Sequence, residues 1–203
     1  MKKRLLALTV GISCLAFAQE NLLKNGGFEQ ISKVPKASDK YIMAQIRTGW
    51  DFGAGPVAKI PANWVPNHGK VKSRIITIGE NGENKENVAE GKNSMHFSGE
   101  TFAMYNSVSL KPGKYKFSFK YKGTGRITIA FYAYGKDPKT GRGKHITSVA
   151  PMTVMAGPQW KTYTREIEIG KWKPGITRCT MAVTGSKLDA YIDDVSAIPV
   201  EAK

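Results

Sequence analysis

Apolar and polar side chains alternate one for one along most of the chain. In "KYKFSFKYKG", Tyr115, Phe117, Phe119 and Tyr121 fall on one face and Lys116, Ser118, Lys120 and Lys122 on the other, the period-two pattern of a half-buried strand. "GRITIAFYAYG" follows the same rule, with Ile127, Ile129, Phe131 and Ala133 inward and Thr128, Ala130, Tyr132 and Tyr134 outward. "WKTYTREIEIG" alternates with Arg165 as its exception, and "KSRIITIG", "NSMHFSG", "FAMYNSVSL", "ITRCTMAV" and "DAYIDDVSAI" supply further strands. Helical periodicity is almost absent, and Gly, Pro and Asn punctuate the pattern, as in the tight turn "KPGKY". Eight or more short strands with turn signals between them predict an all-β, two-sheet sandwich.

Two segments break the alternation. Residues 32–69 include "WDFGAGPVAKIPANWVPNHG", rich in Gly and Pro, and read as a long irregular excursion over the sandwich. Residues 79–91, "GENGENKENVAEG", form a polar loop that lacks the Asp-x-Asp-x-Asp-Gly order of an EF-hand.

The first 18 residues have a basic start (Lys2, Lys3, Arg4), an apolar run and an Ala16-Phe17-Ala18 cleavage signature, the pattern of a secretory signal peptide. The expected organisation is a leader at 1–18 and a single domain over 19–203, secreted or periplasmic, with no transmembrane segment. Only Cys179 would survive processing, so no intrachain disulfide is expected, and its alternation with Met181 and Val183 marks a small core residue. The leader takes three of the 31 basic residues and none of the 16 acidic ones, leaving 28 against 16, a formal +12. Such a field attracts polyanions; export points to acidic or sulfated glycans rather than nucleic acid, while a solubilising surface is the alternative.

"NLLKNGGFEQ" at the start, "EGKNSMHFSG", "LKPGKYKFSFKYKG", "WKTYTREIEI" and "AYIDDVSAI" at the end together resemble the carbohydrate-binding modules of the family four, nine and twenty-two type, which are galactose-binding-like jelly rolls. The departures are the 32–69 segment and the hairpin tip at 135–144. In a jelly roll the first and last strands run side by side, so Glu29 can meet Asp193 and Asp194. Converging carboxylates repel unless a cation intervenes, and Ca²⁺ accepts such ligands together with a backbone carbonyl from the turn at Gly27. The resemblance implies the same structural calcium at the corresponding Glu and one terminal Asp; simple hydrogen bonding by these carboxylates is the alternative. It also implies a core position for Trp160.

A sugar site needs exposed aromatic platforms flanked by hydrogen-bonding groups. Tyr132 and Tyr134 share the outer face of one strand. Trp50 and Trp64 lie in the Gly/Pro-rich segment, as platforms or as plugs, and Trp172 in "GKWKPG" is a lip or an anchor. Lys120 with Lys116 and Lys122, and Arg126 and Arg142 with the lysines of the hairpin, would line a basic groove able to grip uronate or sulfate. Catalytic signals are weak: His68, His96 and His145 are scattered and occur in no metal-binding spacing. The sequence therefore reads as an exported, non-catalytic glycan-binding module. A polysaccharide lyase or hydrolase, using Tyr132 or Tyr134 with His145 and Arg142, and a structural or adhesive surface protein are the alternatives.

Overall fold

The computed structural model describes residues 20–33, 59–80 and 82–200. The leader and Trp50 lie outside the described residues. Eight strands follow in order: β1 (Ile31–Lys33), β2 (Lys59–Pro61), β3 (Trp64–Thr77), β4 (Asn93–Leu110), β5 (Gly113–Lys136), β6 (Gly143–Met155), β7 (Lys161–Ile169) and β8 (Arg178–Pro199). β1 and β2 form a small antiparallel pair. The other six make one antiparallel sheet in the order β3-β4-β8-β5-β6, with β7 also pairing to β5. Within the 79–91 loop, Lys85–Asn87 make one 3-10 turn capped by Asn84, whose side chain accepts the Glu86 N–H.

The alternating segments thus join into fewer and longer strands than the turn signals predict. "KYKFSFKYKG" and "GRITIAFYAYG" are the two halves of β5, and "ITRCTMAV" and "DAYIDDVSAI" the two halves of β8. Both walls of the sandwich are built from these long strands. Phe117 and Phe131 lie fourteen residues apart on β5, about 46 Å along a straight strand, yet their rings meet at 4.9 Å between centroids. β5 therefore turns back over itself and its halves face each other across the core.

The corner is made by Gly123 and Gly125, at φ of +121° and +92°. A Cβ on Gly123 would lie 2.3 Å from the Asp189 carbonyl oxygen, and one on Gly125 2.1 Å from that of Lys187, so only glycine fits this crossing of β5 over β8. β8 changes phase at the same place: its alternating buried positions run 179, 181, 183, then 188, 190, 192, then 193, 195, 197, with Ala182 and Ser196 buried beside them. The two phase changes fall at Lys187 and Asp194, both in the left-handed region at φ of 51° and 48°. Phe28, Trp64, Phe97, Phe117, Phe119 and Phe131 lead the single core between the walls.

The far end of the 32–69 segment is regular structure and not loop, because β2 and the start of β3 occupy it. Pro66 is tolerated there since β3 is an edge strand with a register shift after Pro66. Among the described residues no helix is long and apolar enough to cross a membrane.

Candidate functional site

The two ends of the described chain meet where the alternation of β8 breaks. The Val195 N–H donates to the Gly26 carbonyl at 3.0 Å, and the Asn21 side chain binds the Val195 carbonyl at 3.2 Å and the Ala197 N–H at 2.9 Å. Gly27 lies between Asp193 and Glu29: a Cβ there would sit 3.9 Å from Asp193 Oδ1 and from Glu29 Cγ. Both carboxylates grip one loop. Asp193 Oδ2 accepts the Ala89 and Glu90 N–H groups at 3.0 Å each, and Oδ1 accepts the Asp194 N–H at 2.7 Å. Glu29 Oε1 accepts the Lys92 and Asn93 N–H groups at 2.8 and 3.0 Å, and Oε2 the Asn93 side-chain amide at 3.1 Å.

Asp193 is fully buried, and burial pushes its carboxyl up to about 7 in spite of those three donors. A buried carboxylate lacking a positive partner fits a cation, and Gly27 leaves it room. Asp194 does not join this pair: its carboxylate lies 3.3 Å from Lys120 Nζ, which also pairs with Glu90. Among the described residues no group of three or more His, Cys, Asp or Glu side chains is placed to hold a metal ion. Glu29 and Asp193, with Gly27 between them, are the members of the expected set that share this junction.

A second feature lies on the outer face of the wall formed by β3, β4, β8 and the second half of β5. Tyr105 of β4 and Tyr132 of β5 meet edge to face across β8, at 5.1 Å between centroids and 76°; Ala182 of β8, paired with Tyr105, is small enough to let them do so. Tyr134 lies two residues further along β5, with the Arg178 guanidinium 4.5 Å from its ring centre. Tyr105, Tyr134, Arg178, Ser107, Ser109, Thr180, Val65 and Asn106 line a cavity of about 380 Å³ open to solvent, within the size range of small-ligand pockets. Asn106 is buried and committed to the fold, donating to the Lys24 carbonyl and accepting the Val108 N–H. His145 borders the same face, its ring 5.6 Å from Tyr134 and 6.5 Å from Tyr132, and its Nε2 is 2.9 Å from Ser148 Oγ.

The structure brings Tyr132 and Tyr134 together and separates the other predicted binding residues that it describes from them. Trp64 is a core side chain, 2 % exposed, stacked near Phe28 and donating its indole N–H to the Asn25 carbonyl; it plugs the interior and presents no platform. Trp172 packs on Phe131 at 5.6 Å as a loop anchor. Lys120 is engaged by Glu90 and Asp194, and hydrogen bonding to Glu90 raises its pKa. Lys122 donates to the Glu86 carbonyl, so both lysines tie down the 79–91 loop and form no groove with the hairpin. Arg126 is exposed beside the corner, and Arg142 is exposed at the hairpin tip that Asp137 caps through the Lys139 and Thr140 N–H groups. Trp160 is half-buried outside the core, donating to the Glu86 carbonyl, because that loop folds back over the outer face.

Tyr105, Arg178 and Thr180 were not legible as site residues. Tyr105 carries an alternation signal in "FAMYNSVSL", but its meeting with Tyr132 depends on β8 running between β4 and β5, which no local pattern encodes.

No family model matches the sequence, and no curated protein does. Many solved structures are similar in fold. The enzymatically active domain of bacteriophage CBA120 tailspike protein 4 is 14 % identical at a TM-score of 0.47, covering 68 % of this chain and 20 % of that one, so this chain spans about a fifth of it. The carbohydrate-binding module TmCBM61, solved with β-1,4-galactotriose, is 21 % identical at 0.44, covering 89 % and 99 %. The CBM22-1 xylan-binding domain of Xyn10C from Paenibacillus barcinonensis is 15 % identical at 0.46, covering 75 % and 93 %. Carbohydrate-binding modules thus stand among the solved structures that this all-β chain is similar to.

Proposed function

We propose that the chain is an exported, non-catalytic glycan-binding module whose site is the tyrosine-lined face of β4, β8 and β5. One observation carries this reading: two tyrosines and an arginine from adjacent strands converge on a single solvent-open cavity with serine and threonine hydroxyls between them, and a third tyrosine, Tyr132, packs edge-on against Tyr105 beside it. Rings of this kind cover the C–H face of a sugar while the hydroxyls and guanidinium meet its rim. The excess of basic residues over the whole chain favours an acidic or sulfated polymer. A calcium ion held by Asp193 and Glu29 completes the proposal; its charge would offset that of the buried carboxylate and fasten the 89–93 loop to the terminal junction.

The test is retention of the mature protein in affinity electrophoresis through neutral, uronic and sulfated polysaccharides, with release of reducing or unsaturated ends followed in parallel. Retention without product, lost in Tyr132→Ala, is the expected result. The approach of His145 to Tyr132 and Tyr134 favours a lyase as the second reading, and product from any acidic polymer would establish it. Silence in both assays would overturn both and leave a structural or adhesive protein.

A further inference from the structure

Resting on that glycan reading, we propose that Arg178 is the residue that selects an anionic sugar, gripping one carboxylate or sulfate at the Tyr134 end of the cavity. It is the one charged residue among the described residues lining the cavity. Lys120 is paired with Glu90 and Asp194, Lys144 with Asp137 and Lys171 with Glu168, whereas among the described residues no carboxylate pairs with Arg178 and none lines its cavity.

Its orientation is set in advance. The guanidinium lies over the Tyr134 ring and Nη1 is 3.4 Å from Ser109 Oγ; Arg178 lines the cavity, and the other donors of its planar fork make no hydrogen bond to a described residue. Such a fork matches the paired oxygens of a carboxylate or a sulfate, and stacking lowers the entropy lost on binding. The register fixes where the anion sits relative to the stacked sugar. Arg178 opposes Tyr134, Thr180 opposes Tyr132, and Ala182 opposes Tyr105, and each step of two residues along β8 is about 7 Å. The acid therefore lies one step beyond the row of Tyr132 and two beyond that of Tyr105. Recognition is of a short stretch bearing an acid at a fixed offset from a stacked ring, and not of bulk charge.

Matched polymers read this directly: polygalacturonate against its methyl ester, alginate against its propylene glycol ester, and κ-carrageenan against its desulfated form. The wild type is expected to bind the charged member of at least one pair about 10- to 100-fold more tightly, the scale of a charge-assisted hydrogen-bonded contact. Arg178→Ala should erase that preference, Arg178→Lys should restore only part of it, and Lys161→Ala, an equal change of net charge on another strand, should leave it intact. Uronate pairs responding without the carrageenan pair would assign a carboxylate, and the reverse a sulfate. Discrimination that survives Arg178→Ala, or falls equally in Lys161→Ala, would overturn the proposal, as would binding of neutral glycans with no discrimination in any pair. Failure to bind any glycan would instead overturn the glycan reading, and this inference with it.

Discussion

Glu29→Ala is the sharpest perturbation of the terminal junction, because the magnitude follows from three hydrogen bonds. The Lys92 N–H that it frees is on an exposed residue and returns to water. Asn93 is only 5 % exposed, and its side-chain oxygen is already bound by the Thr77 hydroxyl at 2.7 Å. Its backbone N–H and side-chain amide would then have no acceptor. A buried donor left unmade costs about 1–3 kcal/mol, and two neighbouring ones are not additive, so the expected loss is about 2–4 kcal/mol. Glu29→Gln keeps one acceptor oxygen but turns an amide toward the Asn93 amide, and should cost about half as much. Urea unfolding with chelator measures the clamp by itself; repeating it with calcium measures the ion. If calcium is held there, the wild-type midpoint rises and that of Glu29→Ala does not. A loss below about 0.5 kcal/mol for Glu29→Ala in chelator would refute the clamp. Identical wild-type unfolding with calcium and with chelator would remove the ion and leave the hydrogen bonds.

Other outcomes follow from burial and backbone geometry. The Asp193 carboxyl, raised to about 7 from 3.8, binds its proton more tightly when folded, so stability present below about pH 4 is lost as pH rises to about 7, by about 4 kcal/mol at most; unfolding in chelator at pH 4.5 and pH 8 should show this fall, and Asp193→Asn should flatten it relative to the wild type. Gly125→Ala drives a Cβ into the Lys187 carbonyl and should cost about 3 kcal/mol or more, whereas Gly141→Ala, also at positive φ but with nothing within 4 Å, should cost about 1 kcal/mol; equal thermal shifts would refute the account of the corner. Cys179 is fully buried and its thiol is pushed up to about 11, so iodoacetamide at pH 8 should label it only through unfolding; labelling at the rate of a free thiol would show that the core opens there.

The inward and outward faces of β5 were legible because a sheet with one wet side imposes strict alternation, and Phe117, Phe119, Ile129 and Phe131 obey it. The phase changes at Lys187 and Asp194 were not, since a lysine or aspartate in the left-handed region carries no mark that separates it from its neighbours. Trp64 shows the limit for single residues: beside Gly and Pro it reads as a loop residue, and its burial is decided by Phe28 and the Asn25 carbonyl, brought there from 36 and 39 positions away. Lys120 and Lys122 look like a solvated basic face until the 79–91 loop folds across them. That Glu29 and Asp193 stand near one junction follows from the outer strands of such a fold being neighbours, whereas the 89–93 stretch that both carboxylates bind carries no local mark of it.

The placement of β8 between β4 and β5 also governs when the molecule can form during synthesis. Of the eight strands it is the last to leave the ribosome, yet it is the one to which both flanking strands are bonded. Until it emerges, the facing edges of β4 and β5 have no partner, and pairing across the sheet must wait while residues are added at about 5–20 per second. A chain cut short before Arg178 would expose two long edges of the kind that recruit other strands, so incomplete translation products of this protein should aggregate where the finished chain folds.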